Sequence, residues 1–459
     1  MDLTFLGAAQ SVTGSCYLLR VNGRRVLLEC GQIQGSREDE DKNRERLPVE
    51  TDEIDAVILS HAHIDHSGRL PLLRRQGYTG PIYTHDACRA LCEIMLRDSA
   101  YLHEKDAEWE NQKRRRKGLR DIEPLYTRDD AELVLQQFRG LSFDKPMDVV
   151  PGVTVTLRNA GHILGAAIVE LALEEDGRRV KLVFSGDLGY VDAPIMKGPD
   201  TVEHADLVLL ESTYGDRNHW SFDATLEELD SIFAEATAAR GNILIPAFAV
   251  GRTQDLLYLM SENHDRWRLD RWHVYLDSPM AIEATEVYYH YRHLYSAELF
   301  RGRESRPTLE NFTATRTSAE SMELNGVSAG AIVIAGSGMC TGGRILHHLK
   351  HNLWRPECHV VFVGYQAEGT LGRKIVDGAE YVRLWQDEIR VAAQVHTVGG
   401  LSAHADQEGL LAWYGAIPKH PPAYLVHGEP RAQRVLADKL ASAYGAAVHI
   451  PAYGDKIKL

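Results

Sequence analysis

Residues 60–68 read Ser60-His61-Ala62-His63-Ile64-Asp65-His66-Ser67-Gly68, directly after the apolar run Ala56-Val57-Ile58-Leu59. This pairing constrains the fold more than any other feature of the chain. A short apolar run bounded by polar residues predicts a buried strand, here within Asp55–Ser60. Alternate residues of an extended segment share a face, so His61, His63 and Asp65 can point together at its end. His66 turns in as the next helix begins. Imidazole and carboxylate are the ligands of zinc and related divalent metals. Three histidines and an aspartate within six residues have no ordinary role in a core or on a surface. The chain has to fold so that a strand end delivers them to a metal.

Four ligands could close one structural site, but three further segments argue for a second ion. Gly161-His162-Ile163-Leu164-Gly165 places a histidine between glycines, and Ser185-Gly186-Asp187-Leu188-Gly189 an aspartate just past a buried strand. Val426-His427-Gly428-Glu429 follows the apolar run Ala423-Tyr424-Leu425. Taken singly, His162 and Asp187 read as ordinary loop and turn residues. With the first cluster they raise the candidate ligands to His61, His63, Asp65, His66, His162, Asp187 and His427, too many for one zinc. Two metals bridged by Asp187 fit better. Such a pair, about 3.5–4 Å apart, activates water and stabilises both attacking and leaving oxygens.

The rest of the chain is read around this site. Its 459 residues predict two or three domains. Leu3–Gly7, Ser15–Val21 and Arg25–Glu29 form a meander, with Asn22-Gly23 as a hairpin turn. From about 207 the pattern becomes short apolar strands alternating with helices: Leu207–Leu210, Asn242–Ile245, His273–Leu276, Ala331–Ala335 and His359–Val363. This alternation predicts βαβ units and a mostly parallel sheet. The expected division is 1–206, 207–387 as an inserted domain, and 388–459 as the return to the first. The longest apolar stretches, such as Ile243–Val250, are too short for a membrane span, and no secretory signal opens the chain. The six cysteines lack zinc-ribbon spacing and read as buried thiols in a reducing cytoplasm. The net charge of −14 argues mildly against nucleic acid, although an acidic enzyme can hold a basic cleft. Lys113-Arg114-Arg115-Arg116-Lys117 reads first as a solvated helix face or loop, second as a contact for a nucleic-acid backbone.

The order His61-x-His63-x-Asp65-His66, His162, Asp187 resembles the metallo-β-lactamase superfamily. The continuation Glu211-Ser212-Thr213-Tyr214-Gly215, Ser402-Ala403-His404-Ala405-Asp406 and Leu425-Val426-His427-Gly428-Glu429 resembles its β-CASP branch of RNA-processing nucleases, similar to the cleavage subunit of the cleavage and polyadenylation specificity factor. The resemblance implies an α/β fold: an αββα sandwich with an inserted β-CASP domain. It implies two Zn2+ ions per chain, one on His61, His63, His162 and Asp187, the other on Asp65, His66, His427 and the shared Asp187. A histidine at 427 is typical of the RNA enzymes; DNA-repair members carry an apolar residue there. His404 is implied as general acid or transition-state stabiliser, oriented by Glu211. Asp65 and Glu29 complete the catalytic set. The family usually has aspartate where this chain has Glu29, behind the ligands and near the attacking water. The longer carboxylate either keeps that role with a shifted backbone or reduces activity.

A substrate face is expected at the ends of the parallel strands. Gly338, Thr341, Gly342, Gly343 and Arg344 lie in a Gly-rich turn before a helix, where backbone N–H groups suit a phosphate. It is neither a dinucleotide fingerprint nor a P-loop, and a plain tight turn is the competing reading. Arg252, Ser278, Arg373 and Ser402 join it, and the expected nucleic-acid groove lies between the domains. The function expected is a zinc-dependent ribonuclease, an endonuclease acting on single-stranded RNA, monomeric or homodimeric. The alternatives are a metal-bearing RNA-binding scaffold with weak catalysis and a small-molecule metallo-hydrolase.

Overall fold

Asn22 and Gly23 turn the chain between the antiparallel strands Cys16–Val21 and Arg24–Leu28. Both have positive φ, 50° and 72°, as a type I′ hairpin turn requires. In the computed structural model, which describes residues 1–296 and 309–459, this hairpin belongs to the first of two seven-stranded sheets. Its order is Lys456–Lys458, Asp2–Gly7, Cys16–Val21, Arg24–Leu28, Ala56–Ile58, Ile82–His85 and Phe138–Leu141. The second runs Val448–His449, Ala423–Val426, Leu207–Glu211, Arg178–Phe184, Ala167–Glu175, Val153–Asn159 and Met147–Val150.

Strand alternation makes the core of this unit. Val153, Val155 and Leu157 are buried while Thr154 and Thr156 between them are half-buried. They pack with Val169, Leu171 and Phe184 against Leu3, Phe5, Tyr17, Leu28 and Ile58 of the first sheet. Helix Asp86–Arg116 packs on Ile82–His85 and Phe138–Leu141, and helix Pro430–Tyr444 on Ala423–Val426. The result is an αββα sandwich.

Contacts group residues 1–191, 198–218 and 404–459 into this unit, and 192–197 with 219–403 into a second. The boundaries expected at 207 and 388 both move. Leu207–Glu211 pairs in parallel with Arg178–Phe184 and Ala423–Val426, inside the sandwich. Gln394–Thr397 pairs in parallel with His359–Phe362, inside the second unit. The apolar run at 207 marks a strand but does not say which sheet receives it, and the polar edge strand Gln394–Thr397 carries no such mark.

The second unit is a parallel sheet in the order Phe312–Ala314, His273–Leu276, Ala331–Ala335, Ile243–Pro246, His359–Phe362 and Gln394–Thr397. Both faces are covered. Ile245, Ile334 and Val361 pack with Leu229, Phe233 and Met260, whereas Leu244, Val333 and Phe362 pack with Ile345 and Leu349. Among the described residues no helix is long and apolar enough to cross a membrane.

At the carboxyl end of His273–Leu276, the buried Asp277 side chain accepts four hydrogen bonds. They come from Thr315 Oγ1 (2.5 Å), Ser321 Oγ (2.6 Å), Arg344 Nη1 (2.7 Å) and His348 Nε2 (2.6 Å). Burial alone would raise its pKa. The bonds from His348, Ser321, Thr315 and Arg344 outweigh that and hold the carboxyl below the usual range. Asp277→Ala leaves these donors without their acceptor and is expected to destabilise the unit by about 3 kcal/mol. Urea unfolding followed by the fluorescence of the buried Trp267 and Trp272 reads the shift.

Candidate metal centre

The strand Ala56–Ile58 ends just before Ser60, and His61 and His63 follow on the extended chain. His63 caps the short helix Ile64–Ser67. Asp65 and His66 therefore project from a helical turn. Alternation along a strand predicts Asp65 on the extended segment, but the helix begins one residue before it, at Ile64. The segment is tightly seated: a Cβ on Gly31 would lie 1.6 Å from the Asp65 carbonyl oxygen. Likewise a Cβ on Gly189 would lie 2.1 Å from the Gly161 carbonyl, so glycine lets the Asp187 loop close on the His162 loop.

All seven expected ligands converge in the first unit. His61, His63, His162 and Asp187 offer one ligand atom each within 4.8 Å of one another, and so do Asp65, His66 and His427. Asp187 belongs near both groups: its Oδ2 lies 3.4 Å from His61 Nε2 and 3.3 Å from His66 Nε2, its Oδ1 3.6 Å from His427 Nδ1. Ring nitrogens face each other across both groups, His63 Nδ1 to His162 Nε2 and His66 Nε2 to His427 Nε2, each at 3.1 Å. Two buried atoms, His61 Nε2 and Asp187 Oδ1, have no hydrogen-bond partner. Orphaned, convergent imidazole and carboxylate atoms are the donor set a divalent cation needs. Burial pushes His61 down to about 3 and His63 to about 4, which leaves neutral rings with free lone pairs.

Behind the ligands, a hydrogen-bonded layer sets the ring tautomers. Glu29, at φ 63°, reaches the His66 Nδ1–H at 2.6 Å. Its carboxylate also accepts from Ser60 N (2.6 Å) and Ser60 Oγ (3.0 Å). Ser60 Oγ in turn meets His61 Nδ1 at 3.0 Å. One carboxylate thus leaves Nε2 of two histidines free to ligate. Thr213 Oγ1 donates to the His427 carbonyl (3.2 Å) and meets its Nδ1 at 3.0 Å, doing the same for that ring. Glu29 and His427 are non-glycine residues with positive φ, a strain on the order of 1–3 kcal/mol each that the surroundings must hold. Glu29→Ala is expected to weaken zinc binding about 10–100-fold, read by competition with a chelating dye.

His404 lies beside this cluster, its Nδ1 3.2 Å from Glu211 Oε1 and 4.0 Å from Asp187 Oδ2. Glu211 is fully buried and fixed by the Leu188 N–H (2.8 Å) and Thr213 N–H (3.2 Å). Ala405 N bonds Leu188 O at 2.7 Å, holding the histidine next to the Asp187 loop. Burial would lower the His404 pKa, but Glu211, Asp187 and Asp65 outweigh it and push it up to about 9. Its side chain keeps 20% exposure, enough for one face to meet a substrate.

Family models match in the order this geometry requires: a beta-lactamase superfamily domain over residues 24–240, a Beta-Casp domain over 253–375 and a Zn-dependent metallo-hydrolase RNA specificity domain over 388–451. A ribonuclease of Thermus thermophilus is 38% identical over 464 residues, covering all of both chains. The chain belongs to the β-CASP branch of the metallo-β-lactamase superfamily. The transcription termination factor FttA of Methanocaldococcus jannaschii is 29% identical and matches all of this chain over 71% of its own length. A crystal structure of an Enterococcus faecalis V583 protein of unknown function has a TM-score of 0.54 at 14% identity, covering 100% of this chain and 99% of that one, a likeness of fold.

The expected substrate residues all fall in the β-CASP unit. Arg252, Ser278, Gly338–Arg344, Arg373 and Ser402 each follow the carboxyl end of a different parallel strand, so they share one edge of the sheet. Their side chains are not equally available. Ser278 caps helix Pro279–His290, accepting from Ala281 N at 3.3 Å. Buried Arg252 pairs with Asp255 at 3.5 Å, and exposed Arg373 with Asp377. Arg344 turns inward: Nη1 donates to Asp277 and the Thr315 carbonyl, Nη2 to the Arg316 carbonyl at 3.0 Å. It holds the Gly-rich turn in place. Thr341 N and Gly342 N are drawn to Ser337 Oγ at 2.9 and 3.3 Å. Sequence reasoning gives no role to Ser60 or Thr213, although both lie within the motifs 60–68 and 211–215. Their adjacency to a ligand or to Glu211 was the available signal.

Proposed function

We propose that this chain is a zinc-dependent ribonuclease, an endonuclease that hydrolyses phosphodiester bonds of single-stranded RNA with two cations held by the seven residues. The observation that carries this reading is the complete ligand set with His404 and Glu211 beside it, in a chain 38% identical throughout to a ribonuclease. His61, His63, His162 and Asp187 would hold one ion. Asp65, His66, His427 and Asp187 would hold the other. The chemistry such a pair would supply there is activation of a water and withdrawal of charge from the phosphate oxygens.

The chain's own residues do the rest. Glu29, through Ser60, and Thr213 fix the ligand rings before substrate arrives. Protonated His404 hands the proton on Nε2 to the 3′ oxygen as the P–O3′ bond breaks, while Glu211, at 3.2 Å from Nδ1, orients the ring and sustains its charge until then. The products are a 5′-phosphate and a 3′-hydroxyl. Residues at the carboxyl edge of the β-CASP sheet grip phosphates along the strand, through Thr341 and Gly343, the exposed positions of the Gly-rich turn, and through Arg373. Six buried, unpaired cysteines support a reducing, cytoplasmic setting.

End-labelled RNA and DNA oligomers of one sequence test the reading. Internal cuts in RNA bearing 5′-phosphates, with DNA spared, are expected. Stepwise shortening from an end would replace endonuclease by exonuclease. Binding of RNA without cleavage under any divalent metal would favour the scaffold.

A further inference from the structure

The second unit holds another convergence of ligand-type groups. His359 and His396 lie on the neighbouring parallel strands His359–Phe362 and Gln394–Thr397, with His359 opposite Gln394 and Val361 opposite His396. A two-residue offset keeps both side chains on one face of the sheet. Helix Phe222–Ala239 packs on that face, through Leu229, Phe233 and Ala236 against Val361. From it Glu235 approaches, so that one ligand atom from each of the three lies within 4.8 Å of the others.

The spacing resembles that of the metal centre. His359 Nδ1 lies 2.9 Å from His396 Nε2, against 3.1 Å for the two facing histidine pairs there. Two nitrogens on one tetrahedral zinc, at about 2.0–2.1 Å from it, stand a little over 3 Å apart. Burial pushes His359 down to about 4, helped by His396, and burial also lowers His396. Both rings are therefore neutral, with lone pairs to offer. Glu235, and Glu228 two turns earlier on the same helix, place negative charge next to His396. Two neutral imidazoles and a carboxylate, with Glu235 open to solvent, match a zinc set in which water fills the remaining position.

We propose that Glu235, His359 and His396 form a separate binding site for one zinc-class divalent cation, which pins helix Phe222–Ala239 to the edge strand Gln394–Thr397. The ion ties together three segments far apart in sequence and so stabilises the second unit. It takes no part in the reaction, and the proposal stands apart from the ribonuclease reading.

The full-length chain is equilibrated with zinc, freed of unbound metal and analysed for zinc per chain. His396→Asn is expected to carry one zinc fewer than the unaltered chain while cleaving RNA as before, and Asp187→Asn to keep this ion. Equal zinc in His396→Asn and the unaltered chain overturns the proposal and leaves the pair as an N–H···N bond. Should His396→Asn fail to fold, by circular dichroism, the unaltered chain decides. Zinc-edge anomalous scattering from its crystals should give a peak touching His359 and His396. A blank there, with density at His61, overturns the site.

Discussion

Asp187→Asn is expected to give a folded chain that loses zinc from the seven-residue centre and cleaves no RNA above background. The carboxylate stands where the two ligand groups meet, within 3.3–3.7 Å of ring nitrogens of His61, His66, His162 and His427. The amide keeps the shape but not the charge, and one of its ends carries N–H groups that repel a cation. On the two-ion reading proposed above, the substitution removes the anionic ligand common to both ions, where loss of a histidine would weaken one. The fold does not depend on that side chain. The loop is held by its backbone, Gly189 N to Ala160 O at 2.8 Å and Ser185 N to Leu209 O at 2.9 Å. Thermal unfolding in chelator should match the unaltered chain, while elemental analysis after gel filtration shows depleted zinc. An Asp187→Asn chain with full zinc and full cleavage would remove this residue from the centre of the site.

What the sequence made legible follows from range. His61 to His66 is a local pattern, and a strand end explains it without knowledge of the fold. His162, Asp187 and His427 are single residues in turns, and become candidate ligands only when set beside that pattern and the family order. Of the partners behind them, Glu29 was legible only through the family resemblance, and Ser60 and Thr213 were not. Ser60 and Thr213 act through geometry between segments: Glu29 lies 31 residues from Ser60, and Thr213 lies 214 from His427. The domain edges failed for the same reason. Leu207–Glu211 is a buried apolar run and Gln394–Thr397 a polar edge strand, and only long-range parallel pairing, which no turn signal announces, assigns each to its sheet. Arg344 looked like a phosphate ligand because its turn is Gly-rich. The acceptor that claims it, Asp277, lies 67 residues away.

The other large effect lies at His404. His404→Ala is expected to lower kcat about 10²–10⁴-fold, the contribution of a well-placed general acid, with zinc content and RNA affinity unchanged. Glu211→Gln keeps the histidine but removes the first of the charges that raise its pKa, so the pH profile separates the two roles. The acid must be protonated to act. Its raised pKa keeps it so at neutral pH, and activity falls as pH rises through that value. With cations engaging Asp187 and Asp65, Glu211 is the carboxylate left to sustain the shift from the ordinary 6.5 toward about 9. Taking its charge away lowers the pKa, so the basic limb of Glu211→Gln moves to lower pH. Single-turnover cleavage at saturating RNA, followed across pH, reads this directly. A limb at the same pH in Glu211→Gln and the unaltered chain would mean that Glu211 only braces the loop, and zinc loss in His404→Ala would make that histidine a metal ligand instead of an acid.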